Sequence, residues 1–168
     1  MASNPIYVVF DGDEDRWAYE YMRGWKSNRN IEFDFVDAHD LDQMTSRASS
    51  EEYVKSNLRK RMKESFAVVI IVGEKTKNLF KYVRWEIDLA IELQLPIIVV
   101  NLNNRNGIDN VLCPPILKSA CAVHIPFKLA AIKHAAAQFP SEFSRLTAAQ
   151  RAQGARNYSD ESYNLWMK

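Results

Sequence analysis

The sequence contains few of the residues that mark specialised protein classes. Its two cysteines, Cys113 and Cys121, have no metal-ligand spacing and form no disulfide framework, so we expect reduced thiols. The three histidines (His39, His124 and His134) are scattered and make no ligand pair. No apolar run approaches the roughly 20 residues that span a bilayer, and the N-terminus lacks the basic-then-apolar order of a signal peptide. We therefore expect a cytoplasmic protein with no membrane partner and no bound metal.

An excess of one charge sign is also missing. The chain carries 22 lysine and arginine residues against 21 aspartate and glutamate residues, which argues against a nucleic-acid partner. The hydrophobic share of 47% excludes a disordered chain, and the charged share of 26% excludes a membrane bundle. A length of 168 residues suits one domain, with or without a tail, that buries its own core.

Short apolar runs rich in β-branched residues alternate with segments of helical periodicity. The runs AVVIIV and IIVVNL are continuous, as expected of parallel strands covered on both faces. Because parallel neighbours need crossover connections, the alternation predicts an open α/β fold: a mostly parallel five-stranded sheet, helices on both faces and a C-terminal helical extension. The predicted strands are Ile6–Phe10, Ile31–Val36, Ala67–Val72, Ile97–Leu102 and Ala122–Pro126. The predicted helices are Glu14–Lys26, Ser50–Glu64, Asn78–Gln94 and Pro114–Ser119, with a further one starting near Lys128.

The last forty residues differ in character from the rest. We divide the chain into an α/β domain over residues 1–127 and a C-terminal extension over residues 128–168. The sequence KLAAIKHAAAQF predicts a helix that Pro140 interrupts, followed by a second helix over Ser141–Gln153. Three aromatic residues of the tail either dock on the chain's own domain or form a strap that binds a partner. They are Tyr158, Tyr163 and Trp166.

The helix predicted over Asn78–Gln94 carries a carboxylate on its apolar face. At about 100° per residue, Glu86 lies on the stripe of Val83 and Ala90, whereas Asp88 lies on the opposite face. Burying a bare carboxylate costs several kcal/mol, so Glu86 must be paired, hydrogen-bonded or directed to a cavity. Ligands of doubly wound sheets bind beyond the carboxyl ends of the strands, close to this helix. Glu86 is therefore our candidate functional carboxylate, and a structural carboxylate held by amides or a basic partner is the alternative.

The loop after the first strand holds four acids in five residues. Asp11 and Asp13 form a D-x-D pair suited to the Mg²⁺ of a phosphohydrolase, but the predicted fourth strand ends in VVNLNN and supplies no further acid. A response-regulator receiver would need an aspartate ending the third strand, and flavin binding would need a Ser/Thr-Gly phosphate loop. The sequence has neither. The acids therefore cap the first helix or bind polar groups of a ligand.

Three segments together resemble a known family. VVFDGDEDRW, VIIVGEKT and KYVRWEIDLAIELQLPIIVV are similar to the TIR-like domains of bacteria, over roughly residues 4–127. The resemblance is to the MTH538-type TIR-like branch, which includes the signalling subunit of Thoeris anti-phage systems. It implies a flavodoxin-like fold and, in catalytic members, cleavage of the nicotinamide–ribose bond of NAD⁺, which is a substrate and not a cofactor. Thoeris members make a cyclic or conjugated ADP-ribose signal that activates a partner effector protein.

The resemblance also implies roles for individual residues. The family's catalytic glutamate maps onto Glu86. The aromatic residue four positions before it, commonly tryptophan, is Tyr82 here, and Trp85 supplies a further ring. Asp11 stands where many relatives have serine, and Asp15 matches the acid that begins the first helix in the family. The implied substrate-binding set is Phe10, Asp11, Gly12, Asp13, Asp15, Gly73, Tyr82 and Trp85.

Two functions follow as expectations. The first is NAD⁺ cleavage through Glu86, in which water as the acceptor gives ADP-ribose and an internal group gives a cyclic product. The second is a non-catalytic TIR-like module for protein–protein interaction or sensing, and a homo-oligomer is compatible with both. For an enzyme we expect Glu86 to open into a cavity near Asp11. For an interaction module we expect a salt bridge that seals Glu86.

Overall fold

The described strands all pair in parallel. The computed structural model describes residues 5–31, 33, 36–37 and 50–168. Four strands of five or six residues form the body of the sheet, and a two-residue strand, β2, lies at one edge, giving the order β2-β1-β3-β4-β5. The winding direction reverses between β1 and β3, which is where doubly wound sheets bind ligands. The strands are β1 (Pro5–Val9), β2 (Val36–Asp37), β3 (Ala67–Val72), β4 (Ile97–Asn101) and β5 (Ala122–Pro126).

Helices cover both faces of this sheet. They are α1 (Arg16–Ser27), α2 (Glu51–Lys63), α3 (Tyr82–Glu92), α4 (Pro115–Lys118), α5 (Leu129–Arg145), α6 (Ala148–Arg151) and α7 (Asp160–Trp166), and Thr76–Asn78 form a 3₁₀ turn. Met22 of α1 and Phe139 of α5 pack on one face, whereas Leu58 of α2 and Ile87 of α3 pack on the other. This layered arrangement confirms the predicted flavodoxin-like α/β fold.

The strands predicted as continuous apolar runs are the best reproduced. The residues of β3 and β4 are all buried, because each strand has a neighbour on both sides and helices on both faces. The predicted bounds of β3 and β5 match the structure, and those of β1, β4, α1, α2 and α4 agree within two residues.

Two predicted elements have different bounds in the structure. The second strand was expected over Ile31–Val36, but β2 comprises Val36–Asp37, and Ile31 and Phe33 lie outside it. Residues 32, 34 and 35 lie outside the described residues. The helix expected from Asn78 begins at Tyr82, because the Thr76 hydroxyl accepts a hydrogen bond from the Gly73 N–H and holds the preceding turn against the end of β3. The chain then runs through extended backbone before α3 begins.

The prediction that Pro140 interrupts the C-terminal helix is wrong. Helix α5 runs from Leu129 to Arg145 with Pro140 inside it, and the predicted second helix, Ser141–Gln153, is divided between the end of α5 and the four-residue α6. Proline in a helix interior costs about 3 kcal/mol, but the apolar face continues through it. Phe139, Pro140 and Phe143 are all buried, and this packing offsets the lost hydrogen bond.

The tail docks on the chain's own domain. Tyr163 and Trp166 are buried in the same core as α1 and α5. The Tyr163 hydroxyl donates to the carbonyl oxygen of His124 at 2.7 Å, and Arg156 forms a parallel bridge with Val123 of β5. The division at residue 127 stays a prediction, but the two predicted parts share one core.

Membrane insertion has no support in the described part of the chain. None of its helices combines the length and the apolar composition that crossing a bilayer requires.

Candidate functional site

Glu86 lies in the second turn of α3 with its side chain turned toward the sheet. It is 1% exposed, between the buried residues Val83, Ile87 and Ala90 of the same helix. The sequence prediction that Glu86 lies on the apolar face is therefore confirmed. Asp88 lies at the surface, as predicted, where it pairs with the Arg84 guanidinium at 3.1 Å.

The carboxyl group of Glu86 meets a hydroxyl from the sheet. Tyr7, in the middle of β1, has no exposed surface, and its hydroxyl donates to Glu86 Oε1 at 2.7 Å. The two residues are 79 positions apart in sequence, so this contact exists only in the folded chain. Glu86 does not open into a cavity near Asp11, as expected of an enzyme, because only 1% of its surface is exposed and its carboxyl group accepts a hydrogen bond from a buried neutral hydroxyl.

Burial controls the protonation of Glu86. Loss of hydration in the apolar layer raises its pKa from an ordinary value of 4.5 to about 8, and the Tyr7 hydrogen bond works in the opposite direction. The carboxyl group is therefore largely neutral at pH 7 in this conformation. A pKa close to the working pH is the property that proton-transferring and charge-stabilising groups require.

Two further buried acids, Asp11 and Asp15, lie at the carboxyl end of β1. Asp11 is 4% exposed, and its Oδ1 accepts a hydrogen bond from the Asp13 N–H at 3.0 Å and a longer one of 3.4 Å from the Glu14 N–H. Asp15 is 6% exposed and precedes α1, but its side chain makes no capping hydrogen bond to that helix. Asp11 therefore ties down its own loop, and the side chain of Asp15 does not form the helix cap that was expected of these acids.

Asp15 is directed instead toward the end of β3. A Cβ atom added at Gly73 would lie 2.3 Å from Asp15 Oδ2, so only glycine permits this close approach. Thr76 Oγ1 accepts from the Gly73 N–H at 2.9 Å and lies 3.5 Å from Asp15 Oδ2. Burial, followed by the negative charge of Asp11, raises the pKa of Asp15. The loops after β1 and β3 are thus joined at the point where the winding reverses.

The aromatic residues of the predicted set divide between the two faces of the sheet. Phe10 stacks on Tyr19 of α1 with ring centroids 4.7 Å apart, in the core of the face opposite to that of Tyr7. Tyr82 is 38% exposed, and its ring lies edge-to-face against Trp85 at 5.3 Å. The ammonium of Lys55, on α2, lies 4.4 Å from the centroid of the Trp85 ring.

The structure therefore places the predicted residues in two groups. Glu86, Tyr82 and Trp85 belong to α3, whereas Asp11, Asp15 and Gly73 meet at the carboxyl ends of β1 and β3. Gly12 and Asp13 are exposed in the first loop, and Phe10 packs beneath α1. Sequence reasoning missed Tyr7 and Thr76, because each joins the site through a tertiary contact.

The acidic loop does not form a metal centre in the part of the chain that the structure describes. No group of three or more histidine, cysteine, aspartate or glutamate side chains there is arranged to hold a metal ion. Asp11, the first acid of the D-x-D pair, is already bound by backbone amides.

The fold and this site define a class of protein. A parallel sheet in the order β2-β1-β3-β4-β5, with a buried acid on the helix after β3, is a flavodoxin-like α/β domain, a class that binds its ligands at the carboxyl edge of the sheet. A family model described as the TIR-like domain of the Thoeris protein ThsB matches residues 7–107. The match covers more than half of the chain, so the chain belongs to the Thoeris ThsB TIR-like family, and membership supports a role in anti-phage defence signalling. The matched range contains Tyr7, Asp11, Asp15, Gly73 and Glu86.

Proposed function

We propose that this chain cleaves the nicotinamide–ribose bond of NAD⁺ and makes an ADP-ribose-type signal that activates a partner effector protein in anti-phage defence. The observation that carries the proposal is the buried carboxyl group of Glu86, with its pKa raised to about 8, on the helix that follows β3. Family membership adds to it, because Glu86 lies within the matched residues and at the position of the catalytic glutamate in the sequence resemblance. No cofactor is part of the proposal.

The chemistry needs a negative charge beside the ribose. Departure of nicotinamide leaves positive charge on the ribose ring, and an ionised carboxylate in a site of low dielectric constant stabilises that charge more strongly than water does. Glu86 is the group that we assign to this role. It acts in its ionised form, so the rate should rise as the pH rises through the pKa of Glu86 in the substrate complex.

The other predicted residues have more peripheral roles in this proposal. The exposed ring of Tyr82, with Trp85 beside it, offers a stacking surface for a nicotinamide or adenine ring. Gly12 and Asp13 are exposed at the carboxyl edge and offer polar contacts to the substrate. Phe10, Asp11, Asp15 and Gly73 hold the loops that form the crevice.

Access to Glu86 requires a conformational change. With 1% of its surface exposed, the residue does not touch a dinucleotide in the conformation described here. Opening of the layer between α3 and β1 must therefore accompany substrate binding, and such a step is a natural place for control by a trigger.

The test is nicotinamide release from NAD⁺ by the purified chain, alone and with lysate from phage-infected cells. We expect Glu86→Gln to lower the rate by a factor of about 10² or more, because it removes the charge and keeps the size of the side chain. Asp88→Asn is the matched control: it makes the same chemical change two residues away, at an ion pair on the surface. Mass spectrometry of the second product distinguishes ADP-ribose from a cyclic or conjugated form.

Each outcome of this test has a meaning. Release by the wild type and by Asp88→Asn, but not by Glu86→Gln, supports the proposal. Equal release by all three proteins overturns the role of Glu86. No release by any of them, from folded protein under both conditions, overturns the enzymatic function.

The exposed aromatic surface of α1 favours a second candidate, a TIR-like module that works by self-association. Trp17 and Tyr21 are 48% and 60% exposed, and together with Trp25 and Ile31 they line an open groove of about 580 Å³. Exposed aromatic patches of this kind are typical of interaction sites, and aromatic residues are enriched at protein interfaces. Light scattering over a range of concentrations tests the candidate. A dimer or higher oligomer that Tyr21→Ser weakens supports it, and a monomer at every concentration overturns it.

A further inference from the structure

The hydroxyl of Tyr7 contacts Glu86 at a place where the surrounding side chains are apolar. Residues of β1 and β3 that face the same way include Val9, Val68 and Ile70, and all three are buried. Tyr7 belongs to β1, an interior strand between β2 and β3, and Glu86 belongs to a helix packed on the sheet, so the hydrogen bond joins two separately placed elements. Burying a tyrosine completely in such a layer is unfavourable unless its hydroxyl has a partner.

We infer that Tyr7 is a positioning residue for Glu86, holding its carboxyl group in one orientation at the interface of β1 and α3. The inference rests on the proposed function, because it assigns a role to the same site. A glutamate side chain has several rotatable bonds, and the hydrogen bond to Tyr7 of β1 restricts their rotation. The 2.7 Å distance is that of a short O–H···O bond, which gains strength when the acceptor ionises.

The same bond opposes the effect of burial on Glu86. An O–H donor stabilises the ionised form of the acceptor, so it lowers the pKa that the loss of hydration raises. Three ion pairs of the packed helices lie at the surface: Lys55 with Glu51, Arg59 with Glu92, and Arg84 with Asp88. The Tyr7 hydrogen bond thus keeps the pKa of Glu86 closer to neutral pH than burial in the apolar layer alone would allow.

The experiment uses Tyr7→Phe, which removes the hydroxyl and keeps the ring. The Glu86 carboxyl carbon is followed by NMR against pH in ¹³C-glutamate-labelled protein, with Glu86→Gln to assign its signal. We expect the midpoint to rise by about one pH unit in Tyr7→Phe. The matched control is Tyr53→Phe, which removes a hydroxyl from a half-exposed ring on α2 and should leave the midpoint unchanged.

Activity provides the second measurement. The rising limb of the pH profile of kcat/KM for nicotinamide release, which reports the free chain, should move upward in Tyr7→Phe by the same amount as the NMR midpoint, a change that a merely structural residue would not cause. An unchanged or lowered midpoint in folded Tyr7→Phe protein overturns the inference. The NMR titration needs no turnover, so an inactive wild type would overturn the proposed function while the titration still decides the role of Tyr7. Backbone amide spectra of each variant confirm that it is folded.

Discussion

Glu86 and Asp109 are both buried carboxylic acids, but their surroundings shift their pKa values in opposite directions. Asp109, in the loop between β4 and α4, is 3% exposed. Its Oδ1 accepts from the N–H groups of Val111 and Leu112 at 2.8 and 2.9 Å, and its Oδ2 accepts from the Asn103 side-chain amide at 2.8 Å. These bonds hold the pKa of Asp109 below its ordinary value. Burial instead raises the pKa of Glu86 to about 8.

The difference shows that burial alone does not mark a functional carboxylate. Asp109 is surrounded by donors that favour its charged form, and in return it fixes the conformation of its loop. Glu86 lies in an apolar layer that favours its neutral form, so its charge is costly until the surroundings change. The first arrangement is stable without a ligand, and the second is suited to a reaction in which charge develops nearby.

The largest expected loss of stability on substitution comes from removing the structural acid. Asp109→Ala leaves two backbone N–H groups and one amide without their acceptor, and we expect it to lower the free energy of unfolding by about 3 kcal/mol. Asp109→Asn keeps one acceptor oxygen and should cost less. Urea unfolding at pH 7 measures both. A loss below about 0.5 kcal/mol for Asp109→Ala would contradict the structural role that we assign to Asp109.

The second prediction concerns the sign of the pH dependence. The pKa of Glu86 is higher in the folded chain than the ordinary 4.5 of an unfolded one, so the folded state binds the extra proton between pH 4.5 and about 8. The wild type should lose stability relative to Glu86→Gln as the pH rises through that window, and the difference should level off above it. A pKa shift of one unit corresponds to about 1.4 kcal/mol, so the free energies of unfolding of the wild type and Glu86→Gln should change relative to each other by a few kcal/mol across the window.

Unfolding of the wild type and Glu86→Gln from pH 4 to 9 measures that difference. Asp109→Asn supplies the opposite case and is measured from about pH 5 down to about pH 2, because a group with a lowered pKa stabilises the folded state above its ordinary pKa of 3.8 and loses that contribution as the pH falls below it. Parallel curves for the wild type and Glu86→Gln would show that Glu86 keeps an ordinary pKa.

The smallest expected effect is at the surface of α3. Asp88 pairs with Arg84 one turn away, and both side chains are more than 40% exposed. We expect Asp88→Asn to change the free energy of unfolding by less than about 0.5 kcal/mol, since exposed pairs of this spacing contribute little. A loss comparable to that of Asp109→Ala would mean that the contribution of these acids to stability does not depend on whether they are exposed or buried.

The sequence predicted the features that depend on periodicity along the chain. The apolar stripe of α3 placed Glu86 on the buried face, and the continuous run of β3 predicted its burial on both sides. Such patterns are local, so a single sequence contains them. The continuation of α5 through Pro140 depends on packing against distant elements, and local signals predicted it wrongly.

The candidate site shows the same limit. Glu86 was singled out from helical phase, but its partner Tyr7 reads in sequence as one more residue of an apolar strand. Thr76 lies 61 positions from Asp15, and nothing near either residue predicts that they meet. The acids of the first loop were expected to cap the first helix or to bind a ligand, whereas Asp11 binds the amides of its own loop and Asp15 reaches across to Gly73. Which donor meets which acceptor depends on the topology of the sheet.

The bridge between Val123 and Arg156 covers the β5 edge of the sheet. The His124 N–H donates to the Arg156 carbonyl at 3.2 Å, and the Arg156 N–H donates to the Ala122 carbonyl at 2.8 Å, so the outer side of β5 is hydrogen-bonded to the tail. Unpaired strand edges are templates on which further chains assemble into extended sheets. The segment after α6 therefore protects β5 from edge-to-edge aggregation, and a chain cut before Arg156 would expose that edge.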